Sequence, residues 1–239
     1  VANSATKAEK VYCNQFLPSE FYVWATHAGK TYIDGDHITY NKTASKWENQ
    51  SGVRYWPESG DVKFFAHVNA GTNFKWNDGV PTIEDFTVAD EVANQKDLLY
   101  AVTSKAKSND PVKVNFRHAL SQIVFMAKNT NKNLHVELNG VGVGMVANKG
   151  TFTYPTGVTD ENFENHTGNQ ADQELPNVGS WKNQSTNDHI YQYVQEFGTV
   201  KNDGTGNFVT NKGEANDYHT GIFLLMPQKT TAWDPVAGN

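Results

Sequence analysis

Apolar side chains recur at every second position in short runs along this chain, the period of a strand rather than of a helix. In Phe21-Tyr22-Val23-Trp24-Ala25-Thr26, Phe21, Val23 and Ala25 fall on one face. In the run from Val62 to Val68, Val62, Phe64, Ala66 and Val68 share a face, and Lys63 and His67 point the other way. Val112, Val114 and Phe116 alternate with Lys113 and Asn115, and Leu134, Val136 and Leu138 alternate with His135, Glu137 and Asn139. The runs from Ile190 and from Gly221 read as further strands. One apolar and one polar face is the pattern of antiparallel sheets.

Turn residues punctuate these runs at Asp34-Gly35-Asp36, Asn77-Asp78-Gly79, Asn148-Lys149-Gly150 and Asn202-Asp203-Gly204. Asn, Asp and Gly tolerate positive φ, so such clusters between alternating runs predict hairpins. The best helical window, Ala89 to Leu99, reads equally as a strand and its approach. The expected class is all-β, built of antiparallel β-sandwiches. The polar stretch Lys107-Ser108-Asn109-Asp110-Pro111 sets the expected boundary between an N-terminal sandwich domain at 1–110 and a C-terminal one at 111–239. No fixed-period repeat is present.

Composition narrows the function. Lys and Arg number 20 against 26 Asp and Glu, a net charge of −6, with a pI near 5.7. Nucleic-acid binders present a basic face, so no nucleic-acid partner is expected. No apolar run reaches the roughly 18 residues of a membrane helix. The single cysteine, Cys13, has no intramolecular partner. Val11-Tyr12 before it lacks the Leu and small residue of a lipid-attachment motif, so a packed thiol is expected. The chain starts without a signal peptide, as a mature or trimmed chain does, so that end fixes no compartment.

Candidate chemistry is sparse. The eight histidines, at 27, 37, 67, 118, 135, 166, 189 and 219, form no helical zinc pair, and no Cys-x-x-Cys exists. His135 and Glu137 share a strand face and are the nearest approach to a metal pair. Gly140-Val141-Gly142-Val143-Gly144 resembles a phosphate loop only in composition, since no βαβ unit surrounds it; it reads as a strand or bulge. The acidic clusters Glu84-Asp85 and Asp160-Glu161, with Glu164, read as solvated loop charge rather than a glycosidase pair. Sequons at Asn41, Asn49, Asn165 and Asn183 are expected by chance in so asparagine-rich a chain. The tryptophans Trp24, Trp47, Trp56, Trp76, Trp181 and Trp233 read first as core or rim packing and second as platforms for sugar rings. No catalytic, metal or ligand-binding residue is assigned, and no cofactor is expected.

Three segments in order carry a family resemblance. They are Tyr55-Trp56-Pro57 followed by Gly60 and Val62-Lys63-Phe64-Phe65-Ala66; Gln95-Lys96-Asp97-Leu98-Leu99-Tyr100-Ala101; and Val112 to Phe125 with its Phe116-Arg117-His118-Ala119-Leu120-Ser121, followed by Lys128-Asn129. Leu224-Leu225-Met226-Pro227-Gln228 adds a fourth. Together these resemble the fimbrillin-like proteins of Bacteroides and its relatives, the Mfa-like group of type V pilus subunits, from about Phe21 to Gln228.

The resemblance implies two tandem transthyretin-like β-sandwich domains, a lipoprotein precursor, and display at the outer membrane or fimbrium. It implies membrane contact only through a lipid anchor of the precursor. It implies assembly with other pilus subunits, after a trypsin-like protease removes an N-terminal strand and a neighbour's strand fills the groove. His118, Trp56 and Asp97 are structural in this reading. Two departures stand out. Family members usually carry a further strand or more after the Pro-Gln segment, whereas this chain stops at Asn239, so two readings stay open: a truncated second domain, or a disordered end. The chain has only two arginines, Arg54 and Arg117, and cleavage at Arg54 would remove more than one strand. The expected function is a non-catalytic fimbrial subunit or adhesin component, with a host or bacterial surface glycan or protein as a possible target. The alternative is a glycan-binding β-sandwich lipoprotein of the outer membrane.

Overall fold

Eighteen strands and one three-residue 3-10 turn (Gly71–Asn73) account for the regular structure of the residues described here, 18–77, 79–90, 94–159, 177–182, 189–193, 198–208 and 222–228 of a computed structural model. The strands are β1 (Glu20–His27), β2 (Lys30–Asn41), β3 (Lys46–Asn49), β4 (Asp61–Val68), β5 (Phe74–Asn77), β6 (Val80–Thr87), β7 (Leu99–Ala106), β8 (Arg117–His118) and β9 (Ser121–Val124). They continue as β10 (Met126–Lys128), β11 (Val136–Leu138), β12 (Val141–Val146), β13 (Lys149–Thr153), β14 (Ser180–Lys182), β15 (His189–Tyr193), β16 (Gly198–Val200), β17 (Gly206–Phe208) and β18 (Ile222–Leu225). The chain is all-β: no described residue lies in an α-helix. Within the window 89–99, the described residues are irregular apart from a single 3-10 residue, Asn94, until β7 begins at Leu99.

The chain divides into two compact units that interleave in sequence. The first takes Val1–Phe86, Asp97–Ala119 and Thr151–Lys182; the second takes Thr87–Lys96, Leu120–Gly150 and Asn183–Asn239. The polar stretch 107–111, where the sequence suggests a boundary, lies inside the first unit. Strand pairing is the reason for the interleaving: β13 pairs with β6 and with β14, which draws a distant segment into the first unit.

In the first unit a six-stranded sheet, β3-β2-β1-β4-β7-β8, packs on a four-stranded sheet, β14-β13-β6-β5. Aromatic rings join them: Phe65 meets Trp76 at 5.5 Å, Trp24 meets Phe74 at 3.9 Å, and Tyr100 meets Phe152 at 4.7 Å between centroids. The opposite face of the larger sheet holds Phe21, Val23, Ala25, Val62, Ala66, Val68 and Ala101, all buried. The alternation predicted for β1 is therefore observed. For β4 it is corrected. Phe64 is only partly buried on the apolar face, while Phe65 and His67 on the supposedly wet face are buried too, because the second sheet covers them. The Lys63 ammonium on that face reaches the Thr156 carbonyl at 2.5 Å.

Three turn expectations are also corrected, one of them at Asn202-Asp203-Gly204, which joins β16 to β17 while these pair with β11 and β10 and not with each other. Asp34-Gly35-Asp36 is no hairpin. Val23 pairs with Asp36 while Ala25 pairs with Ile33, so the extra residues form a bulge inside β2, with Gly35 at φ 79°. Asn148-Lys149-Gly150 leads into β13 rather than closing a hairpin. Asn77-Asp78-Gly79 does close one, pairing Asn77 with Val80. The sequence Val112-Lys113-Val114-Asn115-Phe116 alternates as read, but it is no strand. Only Arg117 and His118 join the sheet, while Val114 and Phe116 lie against its apolar face by side chain alone.

In the second unit four antiparallel ladders nest inside one another. Ser121 lies opposite Leu225, Met126 opposite Phe208, Val136 opposite Val200, and Val141 opposite Tyr193. Its described core includes Val88, Leu120, Val146, Ala147, Leu225 and Met226. Leu134, read as sharing a buried face with Val136 and Leu138, is instead 51% exposed.

Candidate interaction surface

Strand edges are the first feature of the first unit that a partner would meet. Among the described residues, the edges of the larger sheet are β3 and β8, and those of the smaller are β14 and β5. An open edge offers unpaired backbone groups to any incoming strand. The short β8 pairs only with Leu99 and Tyr100 of β7. Val102 N–H donates to Thr159 Oγ1 at 2.9 Å, Thr159 N–H donates to the Val102 carbonyl at 2.7 Å, and the hydroxyl reaches the Asn115 carbonyl at 3.1 Å. Thr159 thus bonds to Val102 as a residue of a neighbouring strand would. At the far edge, Lys46 and Asn41 both contact the Glu48 carboxylate at 3.1 Å, a charged trim on β2 and β3.

The second feature is a strap, residues 52–57, irregular and laid across one end of the apolar face. Trp56 packs edge-on to Phe64, and the Tyr32 hydroxyl donates to the Tyr55 carbonyl. Arg54 closes on Asp36 with Nε at 2.8 Å from Oδ2 and Nη2 at 2.5 Å from Oδ1, and Asn49 Nδ2 adds a third bond at 2.8 Å. The Asp36 side chain is 2% exposed. The Arg54 hydrogen bonds hold its carboxyl below the usual carboxylate range against the opposing effect of burial. A hollow of about 180 Å³ lies here among Tyr32, Ile33, Arg54, Tyr55, Trp56, Phe64 and Val112. Asp36 was missed as anything but a turn residue. The available signal was its phase: it shares the side of β2 that carries Ile38 and Tyr40.

Residues of the segments that carry the resemblance hold strands together. The Asp97 carboxylate pairs with His118 Nδ1, and Ala119 N–H donates to the Leu98 carbonyl at 2.8 Å, fastening β8 to β7. The bond to Asp97 holds His118 above its ordinary pKa, partly offset by desolvation. In the second unit, Gln228 imitates a strand residue: it accepts from Ala147 N–H at 2.8 Å and donates to the Ala147 carbonyl at 3.0 Å. Gln95 Oε1 accepts from Leu224 N–H at 2.7 Å.

The remaining candidates are dispersed. His135 contacts Glu137 at 3.3 Å on an exposed strand, and no group of three metal-ligating side chains occurs among the described residues. His27 lies 3.2 Å from the Asp61 carbonyl, and His37 is 2.9 Å from Glu20. Glu84 accepts a bond from Thr82, and Asp85 sits at φ 54°. The glycine run forms β12, where Gly144 faces Ile190. Trp24, Trp76 and Trp181 donate to Asp34, Thr31 and the Ala119 carbonyl respectively. Trp47, at 38%, is the most exposed of the five described tryptophans. Asn41 and Asn49 are engaged with Glu48 and Asp36. Cys13, Asp160, Glu161, Glu164, Asn165, His166, Asn183, His219 and Trp233 fall outside the described residues, and of His189 only the backbone is described.

Among comparisons with known proteins, a family model described as fimbrillin-like matches residues 17–232. No curated protein and no solved structure matches the chain.

Proposed function

Because this chain belongs to the fimbrillin-like family, we propose that it is a non-catalytic, cell-surface fimbrial subunit that assembles with other subunits by β-strand donation. The carrying observation is the extent of the family match, which spans nearly the whole chain. The all-β architecture supports it. A donated strand satisfies the backbone groups of an open sheet edge, while its alternating side chains set the register. Head-to-tail donation between identical surfaces does not close, and so builds a filament. The motif residues support the non-catalytic reading, since Asp97, His118, Gln95 and Gln228 are occupied in joining strands. Two sandwich domains of transthyretin type and a lipid-anchored precursor at the outer membrane belong to the same proposal.

The test is assembly. The full-length precursor, treated with trypsin and run unheated on a denaturing gel beside an untreated control, is expected to give a ladder that collapses on boiling. A stable monomer in both lanes removes self-polymerisation by this route.

A further inference from the structure

The strap at 52–57 holds one of only two arginines in the chain. Its neighbours Val53 and Tyr55 are 78% and 81% exposed, and its backbone belongs to no strand. Exposed irregular segments are where proteolytic nicking concentrates. The arginine side chain is itself 46% exposed, but its charged end is engaged. Its guanidinium makes two bonds to a carboxylate that is almost wholly buried.

We propose that the Asp36–Arg54 pair is a latch that withholds the Arg54–Tyr55 peptide bond from arginine-specific endoproteases. Such enzymes need the arginine side chain extended into an acidic pocket of their own. To enter it, Arg54 has to leave Asp36, and the buried carboxylate then keeps Asn49 as its remaining side-chain donor. Leaving the buried Asp36 carboxylate without its bidentate partner is far more costly than moving a lysine or arginine paired only with solvent. The strap is tied down on both sides of the bond, by Arg54 before it and by the Tyr55 carbonyl and the Trp56–Phe64 contact after it. Hydrolysis would add one water across the amide, leaving a carboxylate on Arg54 and a free amine on Tyr55. It would sever β1, β2 and β3 from β4, although β1 lies between β2 and β4 in the sheet. The latch thus makes an otherwise accessible bond conditional on one ion pair. This inference is independent of the assembly proposal.

Arg117 supplies an internal control. It lies in β8, is 5% exposed, and donates to the Asn177 carbonyl at 3.1 Å, so cutting there reports general unfolding. The experiment is native digestion of the full chain with an arginine-specific endoprotease, with fragments identified by mass. Wild type is expected to stay intact, and Asp36→Asn to be cut after Arg54 at least about a hundredfold faster. A second variant, Val53→Arg, leaves the pair in place and puts an unpaired arginine beside it. Cleavage after position 53 at least about a hundredfold faster than after Arg54 supports the latch. Wild type cut after Arg54 as fast as Val53→Arg is cut after position 53 overturns it. So does a Val53→Arg chain that stays intact, since the backbone rather than the pair would then be protective. A folded Asp36→Asn chain that resists also overturns it. If Asp36→Asn is cut at Arg117, the Val53→Arg ratio decides.

Discussion

His67 lies nearly parallel to Trp24, 5.2 Å between ring centroids, with neither imidazole nitrogen hydrogen-bonded among the described residues. Tyr22 and Phe74 close in at 5.6 and 4.9 Å, and burial drives the ring's pKa down to about 4. The unfolded chain takes up a proton near pH 6.5, and the folded chain does not until about 4. The associated stability is complete above pH 6.5 and is lost as the pH falls toward 4. The full shift corresponds to about 3 kcal/mol. Urea unfolding at pH 7 and pH 4.5 is expected to show this loss in wild type and not in His67→Phe. That variant is also expected to gain about 1 to 2 kcal/mol at neutral pH, because it removes two unpaired buried polar atoms. Equal pH dependence in both proteins would refute the assignment.

The Asp97–His118 contact has the opposite sign. Its histidine is held above the ordinary value, so its stabilisation is complete below pH 6.5 and disappears as the pH rises through the raised pKa. The imidazole is more than half exposed, which keeps the effect under about 1 kcal/mol. Asp97→Asn is expected to destabilise the protein at pH 5.5 and to be nearly neutral at pH 8.5. Thermal melts at the two pH values read the difference.

Thr159 is fully buried; its hydroxyl oxygen accepts from Val102 N–H, and its single proton is within reach of the Val102 and Asn115 carbonyls. Thr159→Val keeps the shape and deletes the hydroxyl, leaving Val102 N–H without that acceptor. The expected cost is about 2 to 3 kcal/mol in denaturant unfolding. A cost below about 0.5 kcal/mol would mean that water or neighbouring backbone replaces the hydroxyl without penalty.

Gly35 sits at φ 79°, and a Cβ there would lie 3.1 Å from Trp24 Cζ2. Gly35→Ala adds backbone strain to a collision with a ring that is stacked on Phe74 and hydrogen-bonded to Asp34. The expected loss is about 1 to 3 kcal/mol, with a change in tryptophan fluorescence as the ring is displaced. Gly29→Ala, also at positive φ but with open space around it, serves as the control that carries strain alone.

Strand existence was legible in β1, because side chains on a pleated strand obey a period of two whatever they pack against. What covers each face was not. His67 reads as solvent-facing until β5, supplying Phe74, is laid over it. Asn and Gly clusters report positive φ, and a bulge needs it as much as a hairpin does, so Gly35 and Gly79 look alike in sequence and differ in structure. Alternation in 112–116 reflects side chains lying on an apolar face, without the ladder that defines a strand. The motif residues of the family were legible as a set, yet their duties depend on partners far along the chain: Gln228 on Ala147, Gln95 on Leu224. Asp36 pairs with an arginine 18 residues on, across a loop that no local pattern predicts.

The interleaving of the two units also sets an order of events during synthesis. By the time β8 leaves the ribosome the larger sheet has all its strands, but β6 still lacks its neighbour β13, and β14 follows later still. Until then the side of the larger sheet that carries Phe65, His67 and Tyr100 lacks Phe152, Tyr154 and Trp181, the rings that complete its cover. Long-range pairings form slowly, so this aromatic side of the larger sheet is the last part of the first unit to be covered as the chain folds.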